Sequence, residues 1–121
     1  MARIPATRVL LKRVYLPADA ADGLRVLVDR LWPRGVSKAR AALHSWDKDI
    51  APSTELRQWF GHEPARWDEF QCKYRQELKG NAEAVEVLRA LARQEPITLL
   101  FGARDETHNE AVVLREVLLG R

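Results

Sequence analysis

The six residues Ile97 to Gly102, "ITLLFG", carry no charge, and they constrain the fold more than any other stretch. A short, continuously apolar run between Pro96 and Gly102 reads as a strand covered on both faces, the pattern of a central strand in a parallel sheet. Parallel neighbours are joined by crossovers that usually contain helices, so the remaining chain has to supply them. Leu56, Trp59 and Phe60 follow a helix start at Pro52, Ser53 and Glu55, and Gly61 ends that element. Trp67, Phe70, Tyr74 and Leu78 form one helical stripe that stops at Gly80. A third helix, capped by Asn81, buries Val85, Leu88, Leu91 and Ala92 before Pro96. Thr107 and Glu110 have the spacing of a capping box at the start of a last helix.

Two further strands precede these helices. Arg8 to Tyr15 is apolar and β-branched with Lys12 and Arg13 towards its end, and Arg25 to Asp29 is a second short apolar run. The Pro- and Gly-punctuated stretch from Leu16 to Leu24 has room for no more than a short helical turn, and residues 30 to about 52 read mostly as loop. The order strand, strand, three helices, strand, helix predicts an α/β fold: a single compact domain over residues 1–121, with a small, largely parallel sheet flanked by helices.

The chain has 121 residues, 46% apolar and 31% charged, enough for one soluble domain that buries about two thirds of its unfolded surface. No apolar run approaches the ~18 residues of a membrane span, and the start "MARIPATRVLLKR" lacks the pattern of a secretory signal, so no membrane partner and a cytoplasmic location are expected. The single cysteine, Cys72, forms no internal disulfide. It sits about 140° around its helix from the apolar stripe, which predicts exposure and not a nucleophilic role. His44, His62 and His108 are too widely spaced for a metal set, so no metal is expected. The chain has no phosphate-binding loop, dinucleotide turn or nucleophile elbow, and no cofactor is expected.

Charge is unevenly spread within the net +3: residues 1–40 hold nine Lys/Arg against three Asp/Glu. Such a basic segment suits an anionic partner. Ligands of open parallel sheets collect beyond the carboxyl ends of the strands. Asp29, Arg30, Trp32 and Arg34 follow one such end, and Arg104, Asp105, His108 and Asn109 follow another. If the two strands are neighbours, these eight residues share a cleft, with the arginines and the last helix's N-terminus facing a phosphate or carboxylate. The competing reading is an ion-pair network, with Asp29 and Arg30 pairing with Arg104 and Asp105. Trp32 reads as a lid over the core or as a stacking surface, and the Trp32–Pro33 bond is open to either isomer. His108 beside Asp105 is the candidate general acid–base pair, against a role in helix capping. Asp47 and Asp49 read as capping residues.

The segments "VLVDRLWPRGVSKA", "WDKDIAPSTELRQWFGH", "RWDEFQCKYRQEL" and "ITLLFGARDETHNEAVVL" resemble the short, YeaO-like branch of the domain of unknown function 488 family, from about Val9 to Leu119. The resemblance implies a compact α/β fold and no established reaction. The family's longer relatives carry a Cys-His-Arg near the start of a late helix; here those positions read Thr107-His108-Asn109, so thiol chemistry does not carry over. Methyl transfer and transcription regulation find no Gly-rich cofactor turn and no helix-turn-helix with a basic recognition helix.

Three readings of function follow. The first is a cleft for a small phosphate- or carboxylate-bearing ligand, with an enzymatic role left open. The second is nucleic-acid association through the basic N-terminal third, with Trp32 stacking. The third is a non-enzymatic interaction module that meets a protein partner or a second copy of itself.

Overall fold

A computed structural model describes residues 3–121. Four strands, β1 (Val9–Arg13), β2 (Leu24–Leu27), β3 (Ser45–Trp46) and β4 (Ile97–Phe101), form one all-parallel sheet in the order β1-β4-β2-β3. Five α-helices accompany it: α1 (Lys38–Ala41), α2 (Thr54–Phe60), α3 (Trp67–Lys79), α4 (Ala82–Gln94) and α5 (Glu110–Leu118). The uncharged run is β4, the last strand in sequence, and it inserts between the first two. Val9 and Leu24 both pair with Ile97, so β1 and β2 flank β4 in matched register. All five β4 residues are buried.

Alternation along β4 divides the core. Ile97, Leu99 and Phe101 join the large cluster built from Val9, Val26 and the inward stripes of α2 to α5, including Phe60, Phe70, Tyr74, Leu88 and Leu114. Each such side chain contributes about 1.5–3 kcal/mol on leaving water. Leu100 points the other way, to Val14 and Leu27, where Tyr15, Trp32 and Leu43 close a smaller cluster. Helices α2 to α5 therefore pack on one face, while α1 and loops cover the other.

That second face also holds a buried charge cluster. Lys12 Nζ donates to Asp22 Oδ1 at 3.0 Å, Arg25 Nη1 donates to the other carboxylate oxygen, and Arg25 Nε donates to the Ala41 carbonyl at 2.9 Å. Burial opposes ionisation of Asp22, but the Asp19 amide and the two cations outweigh it and hold its carboxyl below the ordinary range. The neighbouring turn depends on Gly23, whose φ is +64° and where a Cβ would lie 2.1 Å from the Pro96 carbonyl oxygen.

The helices begin and end largely where the sequence places them. Ser53 caps α2 through Oγ, which accepts from the Leu56 amide at 3.1 Å, and Gly61 follows in the left-handed region. Phe70, Tyr74 and Leu78 are the buried side of α3, and Cys72 is exposed. Three expectations change and one open choice is decided. The Thr107–Glu110 capping box does not form. The Asp105 carboxylate takes the amides of Thr107 and His108, so α5 starts later, with Asn109 as its N-cap accepting from Val112 N at 3.2 Å. Asn81 precedes α4 without capping it, because its Nδ2 donates to the Asp49 carbonyl instead. The Trp32–Pro33 bond is trans. The region expected as loop contains α1 and the two-residue β3, which adds to the edge of β2.

Candidate functional site

Pairing of β2 with β4 brings the two charged segments side by side, and one hydrogen bond joins them. Asp29 Oδ2 accepts the Gly102 amide at 2.8 Å. Glycine is what allows this approach, since a Cβ at position 102 would lie 2.9 Å from that oxygen. Asp29 is thus aimed at the end of β4 and not at an arginine. Its own carbonyl accepts from Trp46 Nε1 at 2.7 Å.

Arg30 turns the other way. Its Nε donates to the Pro52 carbonyl at 3.0 Å and its Nη2 to the Ala51 carbonyl at 3.1 Å, while Tyr74 Oη donates to the Ile50 carbonyl at 2.7 Å. Three consecutive carbonyls of an irregular segment are satisfied by side chains, which fixes the wall that leads into α2. Arg13 does the same opposite, with Nε donating to the Ala103 carbonyl at 3.0 Å. Burial, then the negative charges of Glu110, Glu77 and Asp29, push the Tyr74 hydroxyl well above its ordinary value, so it remains a donor.

The first residue of α5 completes the site. Buried Asn109 is locked, with Oδ1 capping the helix and Nδ2 donating to the Asp105 carbonyl at 2.9 Å. Glu110 follows, and its carboxyl reaches Asp29. Burial first, then a hydrogen bond to Asp29 and that residue's negative charge, push Glu110 well above the ordinary carboxylate range. Burial beside Asp29 thus favours the neutral form of the Glu110 carboxyl. Glu110 Oε1 is buried and has no hydrogen-bond partner among the described residues.

These groups line a pocket of about 190 Å³. Asp29, Glu110 and Gly102 provide its polar side, Phe60, Phe70 and Leu31 its apolar side, and Arg30 and Arg57 its cations, with the His62 ring beside them. Arg57 and His62 are exposed, and His62 holds a left-handed φ of 58° directly after Gly61. Phe60 and Phe70 stack at 4.4 Å between ring centroids, which makes that wall rigid.

Of the eight residues singled out in the sequence, Asp29, Arg30 and Asn109 line this pocket. Arg34 and Arg104 are exposed and do not line it. Trp32 lies on the other face of the sheet, half-buried, with Nε1 donating to the Val36 carbonyl at 2.7 Å and its ring edge-on to Trp46 at 5.3 Å. Asp105 and His108 form a pair of their own: His108 Nδ1 lies 2.9 Å from Asp105 Oδ2, and its ring meets Trp67 edge-on at 5.1 Å. The Thr107 amide chiefly, with the His108 ring, the Thr107 hydroxyl and the His108 amide, lowers Asp105 to about 2. The expected pairing of Asp29 and Arg30 with Arg104 and Asp105 does not occur. Asp29 is held by Gly102, Arg30 by loop carbonyls and Asp105 by its own turn.

Glu110, Arg57, His62 and the two phenylalanines are absent from the sequence-derived set. Glu110 had a legible signal, because a residue in the first turn of a helix that follows a strand-end loop faces the same cleft as the loop. The others depend on where α2 packs. Among the described residues no cluster of potential ligands is arranged to hold a metal ion, and no helix is long and apolar enough to cross a membrane.

Residues 8–121 match the model of the DUF488-N3i family, described as the inactive DUF488-N3 subclade. The chain is 47% identical over 107 residues to the uncharacterized protein YeaO of Escherichia coli (strain K12), covering 88% of this chain and 93% of that one. It is 44% identical over 115 residues to the uncharacterized protein Rv3073c of Mycobacterium tuberculosis (strain ATCC 25618 / H37Rv), covering 95% and 97%. The same figures hold for the uncharacterized protein Mb3100c of Mycobacterium bovis. No solved structure matches at a significant level.

Proposed function

Since the chain belongs to the DUF488-N3i family, the inactive DUF488-N3 subclade, we propose that it is a non-catalytic binding protein for a small ligand carrying a phosphate or carboxylate. The ligand occupies the pocket beyond β2 and β4 and turns its anionic group to Arg57 and the open side of Arg30. The observation that carries this reading is the pocket itself: a partly open space of about 190 Å³ at the strand ends with a wall of stacked aromatic rings and a buried Glu110 oxygen left without a partner among the described residues.

The nucleophiles and the histidine–carboxylate pair singled out in the sequence are engaged elsewhere or lie outside the pocket. The lone cysteine is on the exposed side of α3. Ser53 Oγ both caps α2 and donates to Glu77. The Asp105–His108 pair stands outside the pocket lining. Nucleic-acid association has less to work with, because the Trp32 indole is committed to Val36 and packed beside Trp46.

A thermal-shift screen of phosphates, nucleotides, organic acids and amino acids tests the reading. A ligand at a hundred times its Kd stabilises the fold by about 2.7 kcal/mol. The shift is expected to fall in Arg57→Ala and to persist in Arg34→Ala and Arg104→Ala. No shift with any compound, or a shift lost only in Arg34→Ala or Arg104→Ala, overturns it.

A further inference from the structure

The donors and acceptors around the pocket are unequally free. The Gly102 amide is taken by Asp29, the Asn109 amide group by the Asp105 and helix backbone, and the Tyr74 hydroxyl by Ile50. Arg30 spends Nε and Nη2 on carbonyls. Burial and the neighbouring Asp29 favour the neutral form of Glu110. What remains at the α5 end is acceptor capacity: the unpartnered Glu110 Oε1 and the lone pairs of Asp29. Cationic donors remain free at the mouth, where Arg57 makes no side-chain hydrogen bond or ion pair among the described residues. An atom that reaches Glu110 must therefore be a donor, and a purely anionic ligand meets two carboxyl groups there.

Resting on the pocket reading above, we infer that the ligand is a small zwitterion: a protonated nitrogen is held by Asp29 and Glu110, an apolar middle lies on Phe60 and Phe70, and a carboxylate or phosphate faces Arg57. The nitrogen's positive charge makes the second carboxylate tolerable, so binding ionises Glu110. Its proton leaves to solvent, and the ammonium keeps its own protons while donating to both carboxylates. The groups that face this event are Asp29 beyond β2, Arg30 beside it, Arg57 and His62 from α2 and its end, and Tyr74 from α3. Tyr74 stays protonated and the two arginines stay charged, so none of these supplies the proton, and Glu110→Gln separates Glu110 from His62 as its source.

Calorimetric titrations in two buffers of different ionisation enthalpy, at near-neutral pH, test this with matched probes: 4-(aminomethyl)benzoate, benzylamine, benzoate and a series of ω-amino acids. At least one zwitterion is expected to bind at least about ten-fold more tightly than benzoate and to release close to one proton per site. Glu110→Gln should weaken every amine-bearing probe, with no proton released by the binding that remains, and Arg57→Ala should weaken the zwitterion while leaving benzylamine unchanged. Benzoate binding as tightly as every zwitterion, release that persists in Glu110→Gln, or no binding by any amine-bearing probe overturns the inference. If phosphates or organic acids without nitrogen shift the melt through Arg57 at least as strongly as every zwitterion, the inference falls and the pocket reading stands; if nothing binds in either experiment, both fall.

Discussion

Replacing Glu110 by Gln should stabilise the protein at neutral and higher pH, by an amount that grows with pH. In the folded state burial and the neighbouring Asp29 keep Glu110 protonated well above its ordinary value of 4.5. In the unfolded chain it ionises near that value. A raised folded pKa contributes stability that is fully present below the unfolded value and is lost as pH rises through the folded one. Between the two, the loss is about 1.4 kcal/mol per pH unit, roughly 5 °C of melting temperature per pH unit for a chain of this length. Gln has nearly the same shape, carries an N–H in place of the carboxylic proton, and cannot ionise. Urea denaturation of both proteins from about pH 5 to 8 isolates this group, because every other titration is common to the two. The stability difference should open in favour of Glu110→Gln as pH rises and level off above the folded pKa of Glu110. A difference that is flat with pH, or that favours the wild type increasingly, would refute the account of a protonated Glu110.

Other perturbations probe the parts that hold the pocket. Leu99→Ala removes a fully buried side chain from the central strand and should cost about 2–5 kcal/mol in urea unfolding. Gly102→Ala places a methyl 2.9 Å from Asp29 Oδ2, so losing the bond and shifting the strand end should cost about 1–3 kcal/mol by the same assay. Arg30→Ala leaves the Ala51 and Pro52 carbonyls without their partner and should lower stability by about 1.5–3 kcal/mol while loosening the segment before α2, read as faster amide exchange at Ser53 to Leu56. Asp105 is lowered from 3.8 to about 2, so its stabilisation is present above the unfolded value and disappears as pH falls through about 2; melting of Asp105→Asn and wild type should converge over that acid range.

The fold was legible where periodicity or composition was strong. The absence of charge in Ile97–Phe101 identified a strand buried on both faces, and the Trp67–Leu78 stripe gave α3 its inward side and left Cys72 outside. Ser53 and Gly61 marked both ends of α2, because a hydroxyl cap and a left-handed glycine are local chemistry. Thr107 failed as a cap because its own amide and hydroxyl both donate to Asp105 Oδ1, which turns the hydroxyl back from the helix, a competition that spacing does not resolve. The two-residue β3 had no length in which a period could show. Within the site, convergence of Asp29 with the β4 end followed from the strand-end rule, but the partner of each charge did not. Asp29 found a backbone amide, Arg30 found carbonyls, and the arginines that looked equivalent in sequence, Arg34 and Arg104, remain on the surface. Glu110 was misjudged because it fitted a capping motif, and its burial against Asp29 depends on the exact residue at which α5 begins.

The central claim is that a small ligand seats between Asp29, Glu110 and Arg57. An amide-resolved NMR titration with 4-(aminomethyl)benzoate, ω-amino acids and the organic acids that shift the melting temperature tests it most directly. Saturable shifts centred on Gly102, Ala103 and Glu110, with Arg34 and Arg104 unmoved, are the predicted result. Shifts confined to the basic surface around Arg34, or none at the ends of β2 and β4 with any compound, would contradict it.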